Sequence, residues 1–201
     1  MYRYLLTFTL LVCLTACSNW TGDGNAVSDK VDRMAITVWL PMQSLKANAL
    51  MLEQVNAFND NQGNIQVQLT LIDPVNYSAV LKKAQQDKQL PTMICLNLNQ
   101  LRVFAEDGLL QPLDKMMSQR LWQDLLPDLL EKGHIGTHIY GVPAVDKPDQ
   151  ELFWAVFNQA EDQAEDKVAT MAFIHYLLHP KQQRSAVASG YTQPVTYSAM
   201  Q

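Results

Sequence analysis

Strand-like and helix-like segments alternate along residues 36–107, and this alternation restricts the fold more than any other feature of the sequence. Runs that are β-branched, alternating or continuously apolar predict strands at Ile36–Leu40, Ile65–Leu71 and Met93–Leu96. Apolar residues at helical spacing predict two intervening helices, with inward faces at Leu45, Ala49, Leu52, Val55 and Phe58 and at Tyr77, Val80, Leu81 and Ala84. Because strands that alternate with helices pair in parallel through right-handed crossovers, we expect an α/β fold.

The rest of the chain extends this pattern. Asn99 is placed to cap a third helix that ends at Asp107, where Gly108 suits a left-handed C-cap. The acidic segment Glu161–Asp166 is typical of a helix start, because carboxylates favour the positive end of a helix. That helix is expected to turn inward Val168, Met171, Ile174, Leu177 and Leu178. Further elements are predicted at Leu121–Lys132 (helix), Leu152–Phe157 (strand) and Gln182–Ala188 (helix).

Composition excludes several classes of protein. The 201 residues are 48% hydrophobic and 17% charged, a balance typical of a globular chain with a packed core rather than a disordered one. The net charge is −5, and no run of Lys and Arg exceeds two residues. A nucleic-acid partner is therefore not expected.

The N-terminus has the layout of an export signal. Arg3 precedes the apolar segment Tyr4–Leu14, which is too short to span a membrane, and Leu14-Thr-Ala-Cys17 follows. This ending resembles the lipobox of bacterial lipoproteins. The resemblance implies that residues 1–16 are a signal peptide, that Cys17 carries acyl chains such as palmitate, and that the protein is held on a membrane by lipid. Ser18 then favours the outer membrane, facing the periplasm, and polar residues 17–35 form a tether; the alternative is an ordinary signal peptide.

Under that interpretation Cys95 is the one cysteine with a free thiol, because Cys13 is removed with the signal peptide and Cys17 carries lipid. It lies in an apolar run and is expected to be a buried strand thiol.

Four stretches together resemble a known family. They are Ile36-Thr-Val-Trp39; Leu90-Pro91 with Met93–Leu96 and the run from Gln100 to Asp114 that contains GLLQPLD; Ile139-Tyr-Gly-Val-Pro143; and Phe153-Trp-Ala-Val156 with Met171–Pro180 and Gln182-Gln183. This set is similar to extracellular solute-binding proteins of the maltose-binding type, family 1, which deliver ligands to ABC importers. The resemblance implies a periplasmic-binding-protein-like fold.

The chain departs from that family in length. Family members have two lobes and roughly twice as many residues, with the ligand between the lobes. Here Val145 is followed almost at once by the returning strand, so the second lobe is missing and Asp146–Gln150 joins two pieces of the first. We therefore expect a single lobe over residues 36–195, in segments 36–145 and 151–195, with a mostly parallel five-stranded sheet, helices on both faces and a tail at 196–201.

Ligands of open α/β sheets lie outside the carboxyl ends of the strands. The resemblance places the first lobe's ligand contacts after the first and third strands, where neutral hydrogen-bonding side chains suit a sugar or similar polar solute. The candidate binding residues are Trp39, Gln43, Ser44, Asn97, Asn99, Gln100 and Trp154, with Tyr191 a weaker candidate. The alternatives are structural: Asn99 as an N-cap, Gln43 and Ser44 as a helix start, and the two tryptophans as core.

Motifs for catalysis are missing: the sequence has no GxSxG, Walker loop or CxxC. Two histidine pairs, His134 with His138 and His175 with His179, suggest a metal, but nothing fixes a third ligand. We expect no enzyme, no metal and no cofactor. The expected function is solute binding for an ABC permease by one lobe, with weak or partner-assisted affinity. The alternatives are an interaction lipoprotein that docks another envelope protein, and a degenerate remnant.

Overall fold

Five strands make one sheet in the computed structural model, which describes residues 33–145, 151–158 and 164–201. The strands of the described residues are β1 (Met34–Pro41), β2 (Ile65–Ile72), β3 (Met93–Asn97), β4 (His134–Ile135), β5 (His138–Ile139), β6 (Val142–Val145) and β7 (Leu152–Val156). The helices are α1 (Leu45–Asn61), α2 (Pro74–Gln86), α3 (Leu98–Glu106), α4 (Gln119–Asp124), α5 (Pro127–Lys132), α6 (Ala164–Leu177), α7 (Pro180–Ala188) and α8 (Tyr197–Met200).

The strand order is β2-β1-β3-β7-β6, with β4 and β5 forming a separate hairpin. β1 is parallel to β2 and β3, whereas β7 is antiparallel to β3 and β6, so four of the five strands point the same way. This confirms the predicted α/β class and its mostly parallel sheet. The ends of the strands define one edge, which we call the carboxyl edge: Pro41, Ile72, Asn97, Val145 and the start of β7 at Leu152.

Helices cover both faces of the sheet, and each face has its own apolar core. Phe58 of α1 and Phe173 of α6 pack edge to face on one side, with ring centroids 5.0 Å apart, near the buried Cys95 and Trp154. Tyr77, Leu81, Leu101 and Phe104 from α2 and α3 pack on the other side. Both helical layers are therefore required to bury the sheet.

The inward face of α1 differs from the prediction. Val55 and Phe58 are buried as expected, but Leu45 is 90% exposed, Leu52 is 46% exposed and Ala49 is also exposed. Asn59 is buried instead, because its side-chain amide pairs with the Val67 backbone: Oδ1 accepts from the amide at 2.8 Å and Nδ2 donates to the carbonyl at 3.0 Å. Hydrogen bonding offsets the burial of a polar group, and apolar periodicity alone does not reveal it.

Three further predictions were wrong in detail. Leu121–Lys132 is not one helix but two, since Pro127 disfavours helix at the residue before it and Leu126 is extended. Val168 is 72% exposed rather than inward. β1 begins at Met34, so the tether predicted for residues 17–35 overlaps the strand by two residues.

Residues 196–201, predicted as a tail, are packed onto the lobe. Thr196 is fully buried and Ala199 is 4% exposed. The Asp124 carboxylate accepts from the Ser198 amide at 2.8 Å and from the Ser198 hydroxyl at 2.5 Å, and thus caps α8 from a distant helix. The C-terminus therefore contributes to the fold.

Several predictions fall on residues that the structure does not describe. They are the signal peptide at 1–16, the lipidated Cys17 with Ser18, the tether as far as residue 32, the connection at 146–150 and the acidic residues 161–163. Among the residues that it does describe, no helix combines the length and apolarity needed to cross a bilayer.

Candidate functional site

Three helices begin at the carboxyl edge, each directly after a parallel strand. Their N-caps are Ser44, Asp73 and Asn97, whose side-chain oxygens accept backbone N–H groups at 3.2, 2.8 and 2.9 Å. The positive ends of α1, α2 and α3 therefore face this edge. Ser44 and Asn97 were both candidate ligand contacts, and the structure employs both as helix caps.

Asn97, and not Asn99, caps α3, which corrects the predicted cap. Asn97 and Gln100 form a reciprocal capping box, since Gln100 Oε1 accepts the Asn97 N–H at 3.2 Å. Gln100 Nε2 also donates to Ser78 Oγ of α2 at 3.2 Å and so ties the first turns of the two helices together. Asn99 lies between them in the sequence, is exposed and lines a groove.

The groove runs between α2 and α3 and measures about 300 Å³. Its floor is apolar, formed by the buried Leu81 and Phe104, and Val103, which is 55% exposed, also lines it. Its remaining lining residues are polar: Ser78, Lys82, Gln85, Asn99, Gln100 and Asp107. An apolar floor with a few convergent polar groups has the composition of a small-ligand site, at the lower end of the usual size range.

Gln43 and Trp154 meet in a second, smaller cavity under α7. This cavity measures about 30 Å³, room for one or two water molecules, and Gln182 and Tyr191 also line it. Trp154 is 3% exposed and lies in the core. Gln43 is tied to α1, because its backbone N–H donates to Asn48 Oδ1 at 2.8 Å and its backbone carbonyl accepts from Asn48 Nδ2 at 3.2 Å. Burial raises the pKa of Tyr191 to about 12.

The seven candidate residues do not form one site. Asn99 and Gln100 line the groove, Gln43 and Trp154 line the cavity, and Ser44 and Asn97 are caps. Trp39 packs against the core beneath α2 and α3, on the face opposite Trp154, so the two rings cannot stack on the same solute.

Sequence reasoning missed the α2 wall of the groove, namely Ser78, Lys82 and Gln85. A signal for it was present, since Ser78 and Lys82 are four residues apart and flank the inward Leu81. The sequence does not show that α2 and α3 lie side by side on one face of the sheet.

The described residues give little support for a reactive cysteine or for a metal site. Cys95 is fully buried, and burial raises the pKa of its thiol, which keeps it protonated. His138 Nδ1 lies 3.0 Å from Asp114 Oδ2, an arrangement that joins the β4–β5 hairpin to the preceding loop. No three His, Cys, Asp or Glu side chains within the described ranges are placed to share a metal ion.

Comparison with known proteins finds similarity at the level of structure. No protein-family model and no curated sequence matches this chain. The fold is similar to that of an extracellular solute-binding protein family 1 from Alicyclobacillus acidocaldarius subsp. acidocaldarius DSM 446, with TM-score 0.67 and 12% identity over 84% of this chain and 80% of that one.

Two sugar-binding proteins are similar over part of the chain. The sugar-binding protein MalE from Xanthomonas citri matches with TM-score 0.51 and 22% identity over 56% of this chain and 28% of its own. The cyclic alpha-maltosyl-1,6-maltose binding protein from Arthrobacter globiformis matches with TM-score 0.52 and 18% identity over 56% and 29%. The matched region thus spans less than a third of either protein. The chain has the fold of family 1 solute-binding proteins, as its sequence resemblance implied.

Proposed function

We propose that this chain is an extracytoplasmic solute-binding lipoprotein of an ABC import system, reduced to one lobe and directed at a sugar or similar polar solute. The fold it shares with family 1 solute-binding proteins supports the class, and the neighbours named for sugars support the solute. Lipid on Cys17 would hold the protein on the membrane near its permease, on the outer membrane if Ser18 directs sorting. We propose no catalytic role.

The observation that carries the proposal is the α2–α3 groove. It begins at the carboxyl edge with Asn99 and Gln100, the position at which open α/β sheets bind ligands. The exposed Asn99 amide can hydrogen-bond sugar hydroxyls, while Phe104 and Val103 provide apolar surface for the C–H face of a ring.

A single lobe leaves one side of the solute in water, so we expect weak affinity unless another molecule closes the site. Three apolar side chains at the carboxyl edge favour a partner. Met42 is 42% exposed, Leu45 is 90% exposed and Val75 is 89% exposed. Exposed apolar groups at a rim where a second lobe is expected suit a protein surface such as the permease or another envelope protein.

The first test is thermal unfolding of the full chain in detergent with maltose, maltotriose, polyols, amino acids and short peptides. A solute at about 100 times its Kd stabilises by about 2.7 kcal/mol and raises the Tm by several degrees. Asn99→Ala should abolish the shift, whereas the matched control Asn56→Ala, an exposed residue of α1 remote from the groove, should keep it. If no solute moves the Tm, the interaction-lipoprotein alternative takes its place.

Lipidation is tested separately. Labelling with a palmitate analogue should modify the wild-type chain, and Cys17→Ser should abolish the label and release the protein from membranes. A Cys17→Ser chain that is still membrane-bound would refute the anchor.

A further inference from the structure

The His175 and His179 pair belongs to a third cleft, which the proposed function does not use. The cleft measures about 630 Å³ and lies between α4, the end of α6 and the start of α7, with Ser198 of α8 at its side. No residue of the carboxyl edge or of the α2–α3 groove lines it. Its volume is that of a small-ligand site.

Metal binding does not explain this cleft. Within the described part of the chain, no third carboxylate, thiolate or imidazole joins the two histidines in a metal-binding group. His179 is also engaged in the fold, because its Nδ1 accepts the Lys181 N–H at 3.3 Å and caps α7. Its Nε2 is left for another interaction.

The cleft instead collects donors of hydrogen bonds. Arg120 is exposed at its wall, and no ion pair to Arg120 occurs among residues 33–145, 151–158 and 164–201. Asp124 is the single acidic residue of the lining, and both of its carboxylate oxygens already accept bonds from Ser198. Arg120 therefore brings to the lining a guanidinium that has no ion-pair partner among the described residues, and two imidazoles and the Gln123 amide line the same cleft.

We propose that this cleft binds a small oxyanion, held by the Arg120 guanidinium with the imidazoles of His175 and His179. A planar guanidinium matches the paired oxygens of a carboxylate, phosphate or sulfate, and charge-assisted bonds of this kind are stronger than neutral ones. The buried leucines Leu121 and Leu178 form the floor and exclude water from one side of the anion. The site is independent of sugar binding.

Binding is coupled to protonation. Partial burial lowers the pKa of His175, so its imidazole is neutral at neutral pH. The charged and titratable groups that face it are Arg120 and Asp124 from α4 and His179 at the start of α7, while α8 brings only the neutral Ser198. An anion stabilises the imidazolium form and is bound more tightly when that form is present, so affinity should rise as the pH falls.

The test is isothermal titration calorimetry of the full chain in detergent with sodium sulfate, which stays dianionic across the range, against sodium chloride at equal ionic strength. Sulfate should bind more tightly near pH 6 than near pH 8. Arg120→Gln should weaken binding about tenfold or more, since it removes the charged half of the main contact. The matched control Arg102→Gln, an exposed arginine on α3 outside the cleft, should not.

Phosphate and succinate then distinguish the class of oxyanion. Binding of phosphate but not succinate assigns the cleft to tetrahedral anions, and binding of both extends it to carboxylates. The proposal is overturned if sulfate gives no more heat than chloride at pH 6, or if Arg120→Gln and Arg102→Gln bind sulfate equally. Neither result would bear on solute binding in the α2–α3 groove.

Discussion

The Asn97 side chain accepts the Gln100 N–H at 2.9 Å, and the Gln100 side chain accepts the Asn97 N–H at 3.2 Å. Two residues chosen as candidate solute contacts are therefore engaged with each other at the start of α3. The role of these positions is first to fix the start of α3. Under the proposed function, Asn99, which lies between them and is exposed, is the residue that contacts the solute. A substitution at Asn97 should therefore lower stability, whereas a substitution at Asn99 should affect binding.

We expect Asn97→Ala to lower the free energy of unfolding by about 1 kcal/mol, because α3 loses its N-cap. Asn97→Asp should retain most of that stability, since a carboxylate also caps a helix and suits its positive end. Asn99→Ala should leave the free energy of unfolding within about 0.5 kcal/mol, as expected for an exposed substitution. Urea unfolding measures all three, and an Asn99→Ala chain less stable than Asn97→Ala would contradict the assignment of the cap.

How far the fold could be predicted is shown by its strands. β1, β2 and β3 were predicted because short runs of apolar and β-branched residues are typical of strands. The parallel arrangement followed from the helices between them. The face of α1 was not predictable, since Asn59 is buried through a hydrogen bond to Val67 and not through hydrophobicity. The packed C-terminus was missed for the same reason: Asp124 and Ser198 are paired across 74 positions of sequence.

The two glycines that flank the β4–β5 hairpin lie too close together for a side chain at Gly133. A Cβ on Gly133 would lie 2.1 Å from the Gly141 carbonyl oxygen, a backbone atom that cannot move aside cheaply. Gly133→Ala should therefore destabilise the protein by about 1–3 kcal/mol, as forced overpacking does. The matched control is Gly63→Ala, where a Cβ meets nothing within 4 Å, and it should be neutral or slightly stabilising. Equal urea midpoints for the two variants would show that the backbone at 133 and 141 is not this close.

Capping of α8 by Asp124 predicts that the last residues matter for stability. Asp124→Ala removes two hydrogen bonds to Ser198, and we expect a loss of about 1–2 kcal/mol. Asp60→Ala, an exposed aspartate near the end of α1, is the control and should be close to neutral. A stop after Val195 should cost more than Asp124→Ala, because Thr196 and Ala199 are also buried. If the truncated chain unfolds at the same urea concentration as the wild type, residues 196–201 are a tail after all.

The candidate site was less predictable than the fold. The carboxyl edge could be located from strand order alone, and polar residues there could be named. The first-turn geometry of each helix determines which of these residues act as helix caps. The packing of α2 against α3 determines which of them line the same groove. Both are tertiary properties, and so Asn97 rather than Asn99 caps α3, and Trp39 and Trp154 lie on opposite faces of the sheet.

Tyr191 gives a prediction in alkaline solution. Burial raises the pKa of its phenol from 10.0 to about 12, so the folded state favours the neutral form. Because this tyrosine ionises first in the unfolded chain, its contribution to stability is fully present below about pH 10 and is lost as the pH rises to about 12. Tyr191→Phe cannot ionise, and its urea midpoint should therefore fall less between pH 9 and pH 11 than that of the wild type. Tyr197→Phe, in an exposed position, is the control and should follow the wild type; parallel pH dependences for wild type and Tyr191→Phe would show that the phenol at the cavity under α7 is not desolvated.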